Sequence, residues 1–161
     1  DMSELGAPTG YLVNVRLDDD DTIREILHDA SIIVIADDFD AGELLSSLKG
    51  AAISGIEEAY QRGAIVLAEG VGASMFGAFV QIDRARLTEG LDWVHGALVV
   101  PAVSSIAESS EAQVALETHT AEIAVGIGHD SALALGSGGQ VQTWGRKQVT
   151  IALGTPQDSD D

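Results

Sequence analysis

The chain has 161 residues, 45% apolar but only 4% aromatic, with no cysteine and a formal net charge of −18 from 26 acidic and 8 basic residues. That length supports one domain whose core is built from Ala, Val, Ile and Leu. The missing cysteines exclude disulfides, thiolate metal sites and a cysteine nucleophile, and the acidity argues against a nucleic-acid partner, which needs a basic footprint.

No apolar run reaches the length of a membrane span, and no positively charged start leads into an apolar stretch. The compartment stays open between the cytoplasm and secretion after processing. Two lysines, Lys49 and Lys147, among so many carboxylates fit either a highly solvated surface or adaptation to high salt.

Residues 1–10 hold Gly6, Pro8 and Gly10 and read as a loose lead-in. "YLVNVRL" (11–17) alternates and predicts a strand, ended by "DDDDT" (18–22). Asp21 or Thr22 can cap a short helix running to about Asp29, with Ile23, Ile26 and Leu27 on one face. "SIIVIA" (31–36) is a continuous apolar run, the pattern of a strand buried on both faces. After "DDFDAGELLSSLKG" a helix is predicted to about Arg62, with Leu44, Leu45, Leu48, Ile53 and Ile56 near helical spacing.

Ala64–Ala68 predicts the next strand, followed by a sharp turn at Gly70–Gly72 and a helix opened by Ala73 and Ser74. Strand, turn and helix in that order form a nucleophile elbow, but its apex is Gly70, which has no side chain. "GALVVPAV" (96–103) predicts another buried strand, and 104–123 a mostly helical stretch capped by Ser104 or Ser105. Short strands and a Gly-rich hairpin at 136–139 follow, with an acidic tail at 154–161. The β–α rhythm implies a parallel sheet with right-handed crossovers, doubly wound, in one domain over 11–153.

Several side chains are candidates for chemistry. Ser74 is either a displaced nucleophile or a cap of the helix it opens. Glu69, beside the apex, is either a working carboxylate or a solvated one near the helix dipole. His28, His95, His119 and His129 have no metal-ligand spacing, and His129 beside Asp130 is the pair best placed for a role. "DDDD" (18–21) and "ADDFD" (36–40) could offer oxygen ligands to a divalent cation but lack the EF-hand pattern, so they read more simply as solvated loops. The 37–40 loop follows a strand, where ligands bind in such sheets. Asp37, Asp38, Glu69, Gly70 and Gly72 are therefore the expected ligand-binding set. "GSGG" (136–139) lacks the lysine of a phosphate loop and reads as a hairpin turn. No motif requires a cofactor.

Three stretches together resemble the cyanophycinase and aspartyl-dipeptidase group of serine peptidases, with a fold like that of class I glutamine amidotransferases. "ASIIVIADDFDAGELLSSL" is similar to that group's strand, Gly-Gly-Asp-Gln loop and helix. "RGAIVLAEGVGASMFGA" is similar to its Gly-Thr-Ser-Ala-Gly-Ala elbow. "GLDWVHGALVVPAVSS" with "AVGIGHDSALAL" is similar to its Asp-Gln-His-Phe strand and Gly-Ile-Gly-Ile-Asp ending.

The resemblance implies an α/β domain with a doubly wound, flavodoxin-like, mostly parallel sheet and a small C-terminal β-hairpin. It puts Gly70 at the catalytic serine and Ala102 at the catalytic histidine, and the Gly-Gly-Asp-Gln loop reads Ala36, Asp37, Asp38, Phe39. Asp130 survives. Without serine and histidine the implied role is non-catalytic, structural or binding. The alternatives are a hydrolase with a rearranged nucleophile and a ligand or cation site in the old cleft. The group's members begin with a further strand–helix–strand, so the chain is expected to be a fragment, to be trimmed, or to have its sheet edge covered by a second copy or another chain.

Overall fold

The computed structural model describes residues 10–83, 86–118, 120–136 and 140–154. The expected loose termini at 1–9 and 155–161, His119 and turn residues 137–139 lie outside them. The described chain divides into two compact units, one up to Val34 together with Glu43–Leu67, the other Ile35–Gly42 together with Ala68 onward.

In the first unit the predicted strand at 11–17 is not formed. Asn14 organises a turn instead: its carbonyl accepts from the Leu17 and Asp18 amides, and its own amide donates to Asp18 Oδ2 at 2.7 Å. An alternating sequence makes a strand only where a ladder partner takes its amides, and these amides are bonded within the turn. Tyr11, Leu12 and Leu17 are exposed.

Helix α1 (Asp20–His28) starts earlier than expected, its cap lying two residues before Asp21, the first expected cap. Asp19 caps it, accepting from the Thr22 amide at 3.0 Å and from the Thr22 hydroxyl at 2.9 Å. Ile23 and Leu27 are buried. The long helix predicted to Arg62 is two, α2 (Ala41–Leu48) and α3 (Ala51–Gln61), broken at Gly50 with φ 95°. Gly55 lets α1 and α3 approach closely, since a Cβ there would lie 3.0 Å from the Cβ of Leu27.

Strands β1 (Ile32–Ile35) and β2 (Ile65–Ala68) form a two-stranded sheet. The Ile65 amide donates to the Ser31 carbonyl and the Glu69 amide to that of Ile35, the constant offset of a parallel pair. The expectation that β1 is buried on both faces fails: Ile33 and Ile35 are buried, whereas Ile32 is 47% and Val34 45% exposed. An apolar run is buried on both sides only where layers cover both sides.

In the second unit a single turn of helix, α4 (Val71–Ser74), replaces the helix predicted beyond Ser74. The chain then enters β3 (Gly77–Asp83) and β4 (Arg86–Glu89), an antiparallel pair not foreseen from the sequence. Gly77 permits this, because a Cβ there would fall 2.7 Å from the Ala97 carbonyl of the neighbouring strand. β5 (Val94–Pro101) and β6 (Ile123–Ile127) follow, and the five-stranded order is β4-β3-β5-β6-β9, with β9 spanning Val149–Leu153. β3, β5 and β6 run parallel and the two outer strands antiparallel, so the centre of this sheet is parallel and the whole mixed. β7 (Ser131–Leu135) and β8 (Val141–Gly145) make a separate hairpin.

The stretch predicted as helical from 104 is shorter and in two pieces. A 3-10 turn at Ile106–Glu108 is capped by Ser105, and α5 (Ser110–Glu117) by the buried Ser109, whose Oγ accepts from the Ala112 amide at 3.1 Å. α5 covers one face of the sheet. Leu98, Ile106, Ala112, Ala115, Leu116, Ala121 and Ala124 form that core, with Phe79, Leu87, Val100 and Ala152 against it.

Candidate functional site

The expected ligand-binding residues are brought together at the start of the second unit. β1 ends at Ile35 and opens into the acidic loop. β2 ends at Ala68 and turns sharply at Gly70 into α4. Gly70 has φ 51° and ψ −126°, a left-handed conformation that glycine adopts without a Cβ penalty. Gly72 is buried where a Cβ would stand 3.0 Å from Ile35 Cγ2 and 3.1 Å from the Ala36 carbonyl. The turn is therefore drawn tightly against the end of β1. Glu69 contributes its backbone, and its side chain is exposed.

Asp37 organises the turn. Its Oδ1 accepts the Val71 amide at 2.7 Å and the Asp38 amide at 3.0 Å. The amide just after the apex of an elbow is the one that stabilises the developing oxyanion in active enzymes, and here a carboxylate of the same chain takes it. A Cβ placed on Gly70 would fall on the Asp37 carboxylate. Asp38 Oδ1 in turn accepts the Asp40 amide at 3.0 Å. Among the described residues no group of three His, Asp or Glu is placed to hold a metal ion.

Ser74 points away from any nucleophilic role. It is 8% exposed, and its hydroxyl donates to the Val71 carbonyl at 2.7 Å, a bond back within its own turn.

The remaining candidates lie beyond the ends of β5 and β6. These strands pair in parallel with Pro101 opposite Ile127, so the segments after them leave the sheet at the same end. Ala102, directly after β5, has φ 60°. That left-handed value costs a residue with a Cβ about 1–2 kcal/mol, and an alanine side chain offers no hydrogen bond to offset it. His129 and Asp130 follow β6, both exposed. Asp130 also has a positive φ, 54°, and its Oδ2 lies 3.3 Å from Arg146 Nε.

A separate open cavity of 410 Å³ lies between β3–β4 and α5, lined by Gln81, Asp83, Arg86, Glu111 and their neighbours. None of the residues singled out from the sequence borders it. Asp83 and Arg86 are 3.5 Å apart there. Hydrogen bonds from its own backbone amide and then from the Ser110 hydroxyl hold the Glu111 carboxyl below the usual carboxylate range.

The bond between the Val71 amide and Asp37 and the positive φ of Ala102 were not legible in the sequence. A backbone donor carries no residue signature, and an alanine gives no hint of a positive φ.

No family model matches the chain, and no curated protein does. The crystal structure of a peptidase from an acI-B1 Actinobacterium is similar to it, with a TM-score of 0.69 and 25% sequence identity. The likeness covers 86% of this chain and 59% of that one. The chain has a peptidase-like fold. It spans less than two thirds of the length of that peptidase.

Proposed function

We propose that this chain is a peptidase-like domain of the cyanophycinase and aspartyl-dipeptidase type that performs no acyl transfer and has a structural or binding role. The observation that carries this reading is the apex of the elbow. A serine mechanism needs a hydroxyl at the apex, a base beside it and free amides for the oxyanion. Gly70 supplies no hydroxyl, Ala102 stands where the family resemblance puts the base, and Asp37 already engages the Val71 amide. The turn keeps its backbone shape all the same.

The binding half of the reading rests on exposed apolar surface. On the β1–β2 sheet Ile32, Val34, Ile65 and Leu67 are 44–63% exposed. Such a row suits contact with a further chain, a second copy or another protein.

The test is intact-mass measurement after long incubation with a fluorophosphonate probe, on the unmodified protein and on Ser74→Ala. The expected result is no adduct on either. An adduct that disappears with Ser74→Ala would restore the hydrolase reading. Light scattering tests the binding half, for which a species larger than the monomer is expected. A monomer with no partner-dependent change in melting overturns it.

A further inference from the structure

We propose that Asp37 is a built-in stopper of the elbow: its carboxylate, seated on the Val71 amide, blocks the path of a side chain at position 70, so the two exclude each other while the carboxylate keeps that seat. The inference rests on the elbow reading for its functional meaning, and on geometry alone for its content.

Three observations converge on one carboxylate. The Val71 amide donates to Asp37 Oδ1, and so does the Asp38 amide. A Cβ built on Gly70 would clash with Oδ1, Cγ and Oδ2 of the same residue. Asp37 stands just after a strand whose end is tied to the turn, since the Ile35 carbonyl accepts the Glu69 amide at 3.0 Å. Gly72 packs against Ile35 and Ala36. Asp37 is itself exposed, so a side chain at position 70 would have to turn its carboxylate outward and break its bonds to the Val71 and Asp38 amides.

Restoring a hydroxyl at position 70 would therefore not rebuild an active turn. The new side chain would meet the carboxylate, and a bound carbonyl would find its amide already taken. Glycine at the apex and aspartate at the end of the neighbouring strand act as one coupled pair. A side chain can return to the apex only if the carboxylate of Asp37 leaves its seat on the Val71 amide.

A double-mutant cycle on the full chain tests this, with thermal unfolding of Gly70→Ser, Asp37→Ala and both together. Serine at a positive φ is strained whatever residue 37 is, and that cost cancels in the cycle. Gly70→Ser is expected to lower the melting temperature by about 5 °C or more. Gly70→Ser should cost clearly less in the Asp37→Ala background than in the unmodified protein, whereas Asp37→Asn, which keeps the volume, should not reduce that cost. If Gly70→Ser does not fold, a folded Gly70→Ser/Asp37→Ala supports the stopper.

Additive effects across the cycle overturn the proposal. A fluorophosphonate adduct on the unmodified protein would sink the non-catalytic reading and leave the cycle as it is, so the two failures are distinguishable.

Discussion

β1 and β5 are both apolar runs in the sequence, and their surroundings differ sharply. In β5, Ala97, Leu98 and Val99 are at most 6% exposed. That strand has a parallel partner on each side, and α5 packs over one face. Among the described residues β1 pairs only with β2, and its alternate residues face outward at 45–47% exposure. Hydrophobicity along a strand thus reports its capacity for burial. How many layers cover it is settled by neighbours that the run itself does not name.

The contrast predicts unequal responses to truncation. Leu98→Ala should cost about 3 kcal/mol, because Leu98 is 2% exposed and its removal leaves a cavity in a close-packed cluster. Val34→Thr, on the exposed row of β1, should change stability by less than about 0.5 kcal/mol in a monomer. Chemical denaturation of both variants measures the difference. A large loss for Val34→Thr that depends on protein concentration would mean that a second chain covers the row, and the contrast would vanish in the assembly.

Helix caps offer a smaller comparison. Ser109→Ala should destabilise by about 1 kcal/mol, since its Oγ takes the Ala112 amide at a buried site. Asp19 caps α1 in full contact with solvent, so Asp19→Ala should lower the melting temperature less than Ser109→Ala.

The Asp19 cap also has a pH signature. The Thr22 amide, and then the Thr22 hydroxyl, hold the Asp19 carboxyl below its ordinary value of 3.8. The folded value lies below the unfolded one, so the contribution of the cap is complete above the unfolded value. It is lost as pH falls through the depressed folded value. The melting difference between unmodified protein and Asp19→Ala should be constant above about pH 5 and shrink below about pH 4. A difference that grows on acidification would contradict this.

Much of the element order was legible because periodicity and turn chemistry act over a few residues. α1, α3, β2, β5, β6 and the described strands of the C-terminal hairpin follow from such local patterns. The errors arose where a distant segment decides. Residues 11–17 have strand chemistry but no ladder partner among the described residues, and the segment after Ser74 became β3 because β5 was there to pair with it. The cluster of Asp37, Asp38, Glu69, Gly70 and Gly72 was anticipated as a site because both loops follow strands. The bond from the Val71 amide to Asp37 spans 34 residues and has no local signature.

By itself, the sequence determined that this is an acidic, cysteine-free α/β protein with a glycine-apexed turn after a short apolar strand, because composition and short-range stereochemistry suffice for that. Only the tertiary structure decided that the strands sort into a mixed five-stranded sheet and a half-exposed pair. It also decided that an aspartate from another loop accepts the amide after the apex. Both depend on which backbone amides find partners across long stretches of chain, and those partners are chosen by packing rather than by any residue's own preference.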